Sequence, residues 1–343
     1  MRNATLKVTL ASASLALAGV ANAATLDEVM ARGEVICGID GGLPGFSAPD
    51  DSGRMQGIDA EICYAISAVV FGDASNVKFV PLTAKERFTA LASGEIDVLS
   101  RNTTHTLTRD ASLGINFTYY NFIDGQGFLV RKNLGVNTAT GLSGARVCVQ
   151  AGTTTELNLA DYFRANGMDF QAVGYDTSVQ TREGYEGGAC DVLTSDKSQL
   201  AAIRSELADP SGSVILPETI SKEPLGPVVR QGDDEWFNVV KWTLYAVINA
   251  EELGVSSSNA ASMASSSDDP RIKRLLGTED EACKKMSDKL SQDCFLNAIK
   301  LVGNYDEIYE RTVGENTPLG LTRAGSPNDL WTRSGILYAP PVR

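Results

Sequence analysis

The chain has 343 residues, 43% of them hydrophobic, with 43 acidic against 30 basic side chains and a formal charge of −13. That acidity excludes nucleic acid as a partner, because phosphate recognition needs a clustered excess of Lys and Arg. The length exceeds what one core usually covers, so two domains are expected.

The N-terminal residues combine Arg2 and Lys7, an apolar run from Leu6 to Val20, and the small-residue sequence Ala21-Asn22-Ala23. This is the signature of a cleaved secretory signal peptide, predicted over residues 1–23. The apolar run falls short of the roughly 20 residues that span a bilayer. A lipid anchor would need a cysteine just past the cleavage point, and the first is Cys37. The expected mature protein is soluble, in a periplasm or outside the cell.

From residue 34, short apolar or β-branched runs alternate with amphipathic ones, the pattern of βαβ units. GEVICGI predicts a strand, GIDAEICYAISAVVFG a helix, NVKFVPL a strand, AKERFTALASG a helix and IDVLS a strand. Ile58, Ile62, Ala65, Ile66 and Val69 recur at three- and four-residue spacing and mark the buried stripe of the first helix. After GQGFLVRK the same order restarts with GARVCVQAG, TTTELNLADYFRANG, FQAVGY, TSVQTREGYEGG and CDVLTSDKSQL. GPVVRQGDDEWFNVVKWTLYAVINAEELG then predicts a strand and a long helix, SSSNAASMASSSDDP exposed connections, and the tail to Arg343 an irregular path.

Six cysteines form an even set in an oxidising compartment. Sequence alone leaves many pairings open. Neighbouring elements suggest Cys37 with Cys63, Cys148 with Cys190, and Cys283 with Cys294. No CxxC occurs and His105 is the only histidine, so no metal site is expected.

In open α/β sheets, ligands bind at the loops leaving the strand ends. Two such loops are SRNTTHTLTRD, carrying Arg109, and AGTTTELNL, in which Thr153-x-x-Glu156 predicts a capping box. The Thr154 and Thr155 amides would stay free at that helix N-terminus, where anions are favoured. Asp196 follows a third strand. An ordinary capped helix explains Thr153 equally well, and Asp196 could simply cap the helix after it. Taken together, a bidentate guanidinium for a carboxylate, free amides beside it, and a carboxylate for a positive charge describe the recognition of an α-amino acid.

The stretches GLPGFSAPDDSGRMQGIDAEICYAI, PLTAKERFTALASGEIDVLSRNTTHTLTRDASLGINFTYYNFIDGQGFLVRK, VCVQAGTTTELNLADYF, CDVLTSDKSQL and ISKEPLGPVVRQGDDEWF span most of Cys37 to Phe237. In combination they resemble the extracellular solute-binding proteins of family 3, the ligand-capturing components of ABC importers, and within them the general L-amino-acid-binding branch. The resemblance implies an α/β, two-lobed periplasmic-binding-protein fold of type II, the Venus flytrap, with two hinge crossovers. Lobe 1 would comprise residues 24–119 and 226–343, lobe 2 residues 124–222, with hinges near 119–124 and 221–225. It implies that Arg109 clamps the α-carboxylate, that Asn102, Thr104 and Thr154 add hydrogen bonds, and that Asp196 meets the α-ammonium. Near Leu43 the family usually places an aromatic ring, and leucine there suits a permissive pocket. Phe46 is expected in the core.

The implied function is capture of L-amino acids in the periplasm, with broad specificity, and delivery by lobe closure to an inner-membrane ABC permease and its ATPase subunit. A monomer without cofactor is expected. The alternative is a periplasmic enzyme on the same scaffold, dehydratase-like or lytic glycosidase-like, with His105 as the candidate acid or base. A lone histidine with no nucleophile motif beside it fits a rim position better. Arg87 or Arg101 could bias the pocket toward acidic ligands, but surface pairing is the expectation for both. LWTRSGILYAPPVR fits the general amino-acid branch, whereas no ligand role is expected for Cys283 or Cys294.

Overall fold

The computed structural model describes residues 24–343, so the predicted signal peptide, residues 1–23, lies outside the described residues. Strands in chain order are β1 (Val35–Ile39), β2 (Val77–Pro81), β3 (Val98–Leu99), β4 (Ile115–Phe117), β5 (Phe122–Asp124) and β6 (Gln126–Arg131). They continue with β7 (Arg146–Gln150), β8 (Gln171–Tyr175), β9 (Val192–Asp196), β10 (Ser213–Ile215), β11 (Glu223–Leu225) and β12 (Val228–Arg230). A two-residue hairpin, Ala48–Pro49 with Met55–Gln56, precedes the first long helix.

Two five-stranded sheets result, ordered β2-β1-β3-β12-β4 and β8-β7-β9-β6-β10. In each, the βαβ strands run parallel, and one strand entering from the other half runs antiparallel: β12 in the first sheet, β6 in the second. Two lobes therefore exchange chain twice. The connecting segments, β5 and β11, pair with each other, Asp124 opposite Glu223 and Phe122 opposite Leu225.

The helix Ile58–Phe71 ends at Gly72, which supplies the left-handed conformation that a C-terminal cap requires (φ 69°). Its predicted stripe is buried, but so is every residue from Ile58 to Val70. The second face is covered by helix Cys294–Val302, which packs along it. The tail is accordingly more regular than its sequence suggested. Helices Ala260–Ser266, Pro270–Leu275, Ala282–Met286, Cys294–Val302 and Tyr305–Thr312 precede the irregular end. Short turns of helix broken at Pro270, Gly277 and Gly303 give too little periodicity to read. Polar groups sealed under this layer are paired: Glu61 receives Arg311 at 2.8 Å.

The final irregular stretch is anchored by charge. Arg323 is buried and donates to both oxygens of Glu251 at 2.7 and 2.8 Å, to Asp306 at 2.6 Å and to the Asn328 carbonyl at 2.9 Å. Asn328 in turn brackets β5, accepting from the Ile123 amide at 2.7 Å and donating to its carbonyl at 2.9 Å. The three cysteine pairs are Cys37–Cys63, Cys148–Cys190 and Cys283–Cys294. The first ties β1 to its following helix, and the second ties β7 to the segment before β9. Phe46 lies in the core, edge-on to Phe122.

Candidate binding cleft

The C-terminal ends of β3 and β9 and the start of helix Thr154–Ala165 converge where the two sheets face each other. The halves touch there. Thr104 and Thr154 hydroxyls lie 3.2 Å apart, Ser178 donates to Asp40 at 2.8 Å, and Lys85 pairs with Asp176 at 2.8 Å.

Arg109 sits in the short helix Leu107–Ser112, which Thr106 caps by accepting from the Arg109 amide. Its side chain is 8% exposed and spends Nη1 on the Thr104 carbonyl at 2.8 Å, with the guanidinium 5.2 Å from the centre of the Phe88 ring. Burial lowers its pKa to about 10, while Glu223 and Asp196 oppose the shift. Asn102 adopts a left-handed backbone conformation (φ 33°), held by its amide donating to Asp59 at 2.8 Å. Such strain in a non-glycine residue persists only where surrounding contacts impose it. Its buried side-chain oxygen has no hydrogen-bond partner among the described residues.

Asp196 is the residue before helix Lys197–Ser205, yet its side chain does not cap that helix. Oδ2 accepts from Gln199 Nε2 at 2.7 Å, and the buried Oδ1 has no partner among the described residues. Burial, reinforced by Asp124 and Glu223, pushes its carboxyl well above the usual range, against the pull of Arg109 and Arg87. At Thr153 the predicted capping box is half formed. Thr153 accepts from the Glu156 amide at 3.2 Å, but the Glu156 carboxylate receives the Gly152 amide at 2.9 Å instead of the Thr153 amide. The Thr154 and Thr155 amides, in the first helical turn, have no intrahelical acceptor.

Leu43 is buried in a tight turn with Ser47, exchanging hydrogen bonds of 3.1 and 2.9 Å. Its neighbour Gly42 comes so close to the second half that an added Cβ would meet Val179 at 2.9 Å. His105 stacks on Phe117 with centroids 4.3 Å apart and lies 3.6 Å from Asp110, with its side chain 31% exposed.

Two expectations require correction. Arg87 and Arg101 are not surface pairs: each is 2% exposed. Arg101 pairs with Asp40 at 2.6 Å and donates to the Leu82 carbonyl at 2.8 Å. The sequence reading also missed Glu223. Its buried carboxylate accepts from Thr104 at 2.7 Å, Thr154 at 3.0 Å, Asn158 at 2.8 Å and Ser221 at 2.6 Å, joining both halves to the β5–β11 crossing. A single Glu between Lys222 and Pro224 carries no pattern from which this could have been read.

Two α/β lobes joined by a paired crossing define the fold of a two-lobed solute-binding protein. The sequence pattern of the bacterial extracellular solute-binding proteins, family 3, matches residues 35–315, and the chain belongs to that family. It is 52% identical over 344 residues to the general L-amino acid-binding periplasmic protein AapJ of Rhizobium johnstonii, covering all of both chains. It is 50% identical over 327 residues to the glutamate/glutamine/aspartate/asparagine-binding protein BztA of Rhodobacter capsulatus, covering 95% of this chain and 96% of that one. A solved structure of a periplasmic binding protein from Brucella ovis with glutathione bound matches at TM-score 0.90 and 48% identity, over 94% of this chain and all of the other. The relatives are solute-binding proteins, and the chain is a binding protein rather than an enzyme.

Proposed function

We propose that the protein captures L-α-amino acids in the periplasm, after removal of residues 1–23, and delivers them as a monomer to an ABC permease with its ATPase subunit. The single observation that carries this reading is the pairing of opposite chemistries across the cleft. Arg109 donates to the carbonyl of Thr104, whose hydroxyl lies 3.2 Å from that of Thr154 at the start of the facing helix, and Asp196 keeps one buried oxygen with no partner among the described residues. Arg109 and the first-turn amides of Thr154 and Thr155 would receive the α-carboxylate. Asp196 would receive the α-ammonium, helped by Thr104, and Asn102 would contribute its unpaired oxygen. The names of AapJ and BztA agree with this ligand class. The γ-glutamyl end of glutathione carries the same free head group, which brings the ligand of the Brucella relative within the same reading.

Residues 119–124 and 221–225 would act as hinges, so that the lobes part to admit ligand and close on it. Exclusion of water strengthens each charged contact in the closed state. Three charge-assisted hydrogen bonds at roughly 1.5–3 kcal/mol each supply much of the ~8 kcal/mol that micromolar capture requires. Leu43 would form part of the wall around the ligand side chain.

A thermal-shift panel of L-amino acids and glutathione tests this directly: stabilisation by many L-amino acids is expected, and stabilisation by one alone contradicts broad capture. Proton linkage gives a second test. Asp196 is raised by burial, and an ammonium partner favours its charged form, so binding lowers its pKa and releases protons. Affinity is therefore expected to fall as pH drops through the ligand-free pKa of Asp196. Calorimetry in buffers of different ionisation enthalpy should report proton release, and proton uptake would contradict the role of Asp196.

A further inference from the structure

When two lobes move about a crossing, the bending falls on the few residues that neither lobe holds. In the first crossing the fastening can be followed residue by residue. The Tyr119 hydroxyl donates to the Tyr338 carbonyl at 2.9 Å and accepts from the Tyr338 amide at 3.2 Å. The Asn121 carbonyl accepts from the buried Tyr305 hydroxyl at 2.7 Å, and its side-chain amide donates to Asp59 at 2.8 Å. Ile123 is bracketed by Asn328 through both its backbone groups. Three alternate residues are thus gripped by the C-terminal segment 305–338. That segment is in turn fixed to the long helix of the first half, by Arg323 on Glu251 and by Asn249 on the Pro340 carbonyl.

The next residue is held by the other half. The Asp124 carboxylate accepts from the Ser198 hydroxyl and, at 3.1 Å, from the Ser198 amide, both at the start of helix Lys197–Ser205. The Lys197 amide donates to the Gly125 carbonyl at 2.9 Å, and Gln126 begins β6 of the second sheet. Ile123 is therefore the last residue tied to the first half, and Asp124 the first tied to the second. Beside this junction a groove of about 360 Å³ separates Ala201 and Arg204 of that helix from Leu319 and Leu321 of the tail, which leaves the helix room to move against it. The second crossing is fastened from the cleft instead, by Thr104, Thr154 and Asn158 at Glu223.

We infer that the C-terminal segment 305–338 is a splint on the first crossing, which confines bending there to the junction between Ile123 and Asp124 and so limits how the lobes can part. This rests on the reading that the lobes part about the two crossings. Residues 119–123 then travel with the first lobe as a rigid piece. Without the splint they would gain backbone freedom in the open state, and ordering them again on closure would count against ligand binding.

Site-resolved amide hydrogen exchange on the ligand-free protein tests the splint. In the native chain the amides of Asn121 and Ile123 are expected to exchange as slowly as those of β12 in the lobe-1 sheet, and the Gly125 amide much faster. Asn328→Ala deletes the two bonds to Ile123 and should speed exchange there by about tenfold or more, the scale of one or two hydrogen bonds, with β12 unchanged. Added L-glutamate should slow Gly125 and Gln126 in the native chain without altering Asn121 or Ile123. In Asn328→Ala it should slow Ile123 as well, and stopped-flow measurement should find it leaving about threefold or more faster. Native Asn121 and Ile123 amides exchanging as fast as Gly125, or slowed by glutamate as much as Gly125, would show bending spread along the crossing and overturn the splint. Failure of glutamate to bind would count against the capture reading alone, because the ligand-free rates decide the splint without it. Those native rates also decide it where the variant fails to fold.

Discussion

Arg109→Ala and Asp196→Asn are each expected to weaken L-amino-acid binding by about thirtyfold or more, with the fold intact. The effect follows from what each substitution leaves behind. Removing one member of a buried, hydrogen-bonded charge pair costs about 2–5 kcal/mol, much of it from stranding the other member away from water. Arg109→Ala would strand the ligand carboxylate at the Thr154 end of the cleft. Asp196→Asn would set an amide, which can donate as well as accept, against an ammonium that can only donate. The fold itself depends little on either side chain. Among the described residues the Arg109 side chain makes one hydrogen bond, to Thr104, and that of Asp196 makes one, to Gln199. Melting curves close to that of the native protein, alongside weakened binding isotherms, are the expected pair of results. Unchanged affinity in both variants would remove the head-group assignment.

Arg323→Ala is expected to lower stability by about 3–5 kcal/mol, the cost of breaking a buried ionic network by deleting one partner. Arg323 is 4% exposed, bridges Glu251 and Asp306, and lies over the rings of Tyr305 and Tyr309 at 4.9 and 5.5 Å from their centres. Without it, Glu251 keeps only Arg333, which is itself half exposed. The C-terminal stretch should loosen with it, since Asn328 reaches β5 from the same segment. Denaturant unfolding measures the loss, and limited proteolysis should cut first within residues 319–343. Arg146→Ala provides the contrast. Its bidentate pair with Asp191 is solvent-exposed on both sides and should contribute little to stability. Equal effects from the two variants would mean that burial does not govern the cost.

The distribution of these charges explains what could be read from the sequence. The βαβ strands and helices of both lobes were legible because each unit repeats a short apolar run and a longer amphipathic one, whereas short elements such as Leu107–Ser112 and Ser213–Ile215 were not. Arg109, Thr154 and Asp196 could be singled out as candidates because each stands near a point where a strand or helix terminus meets a polar loop, a position from which a side chain can reach a ligand. Side-chain burial was not legible for Arg87 and Arg101. Arg87 opens a helix and Arg101 follows a strand, positions usually solvated, yet Arg101 is drawn in by Asp40 and the Leu82 carbonyl and Arg87 lies over the Phe88 ring. Glu223 was hidden for a related reason: its four donors come from residues 104, 154, 158 and 221, and no local spacing encodes that convergence. The long helix Ile58–Phe71 looked one-sided because the element burying its second face arrives more than two hundred residues later.

The crossing at β5 and β11 links these features mechanically. It carries Glu223 towards the cleft and is gripped from behind by Asn328 of the tail. Thr104 and Thr154 both donate to the carboxylate that joins the halves to the crossing, so under the proposed reading head-group recognition and closure would share one set of hydrogen bonds.

A crystal structure of the protein with bound L-glutamate is the most direct test of a zwitterion gripped between the lobes. The α-carboxylate is expected on Arg109 and the Thr154 end of its helix, and the α-ammonium on the Asp196 oxygen that has no partner among the described residues. An amino acid bound elsewhere, or one whose head group touches neither Arg109 nor Asp196, would contradict it.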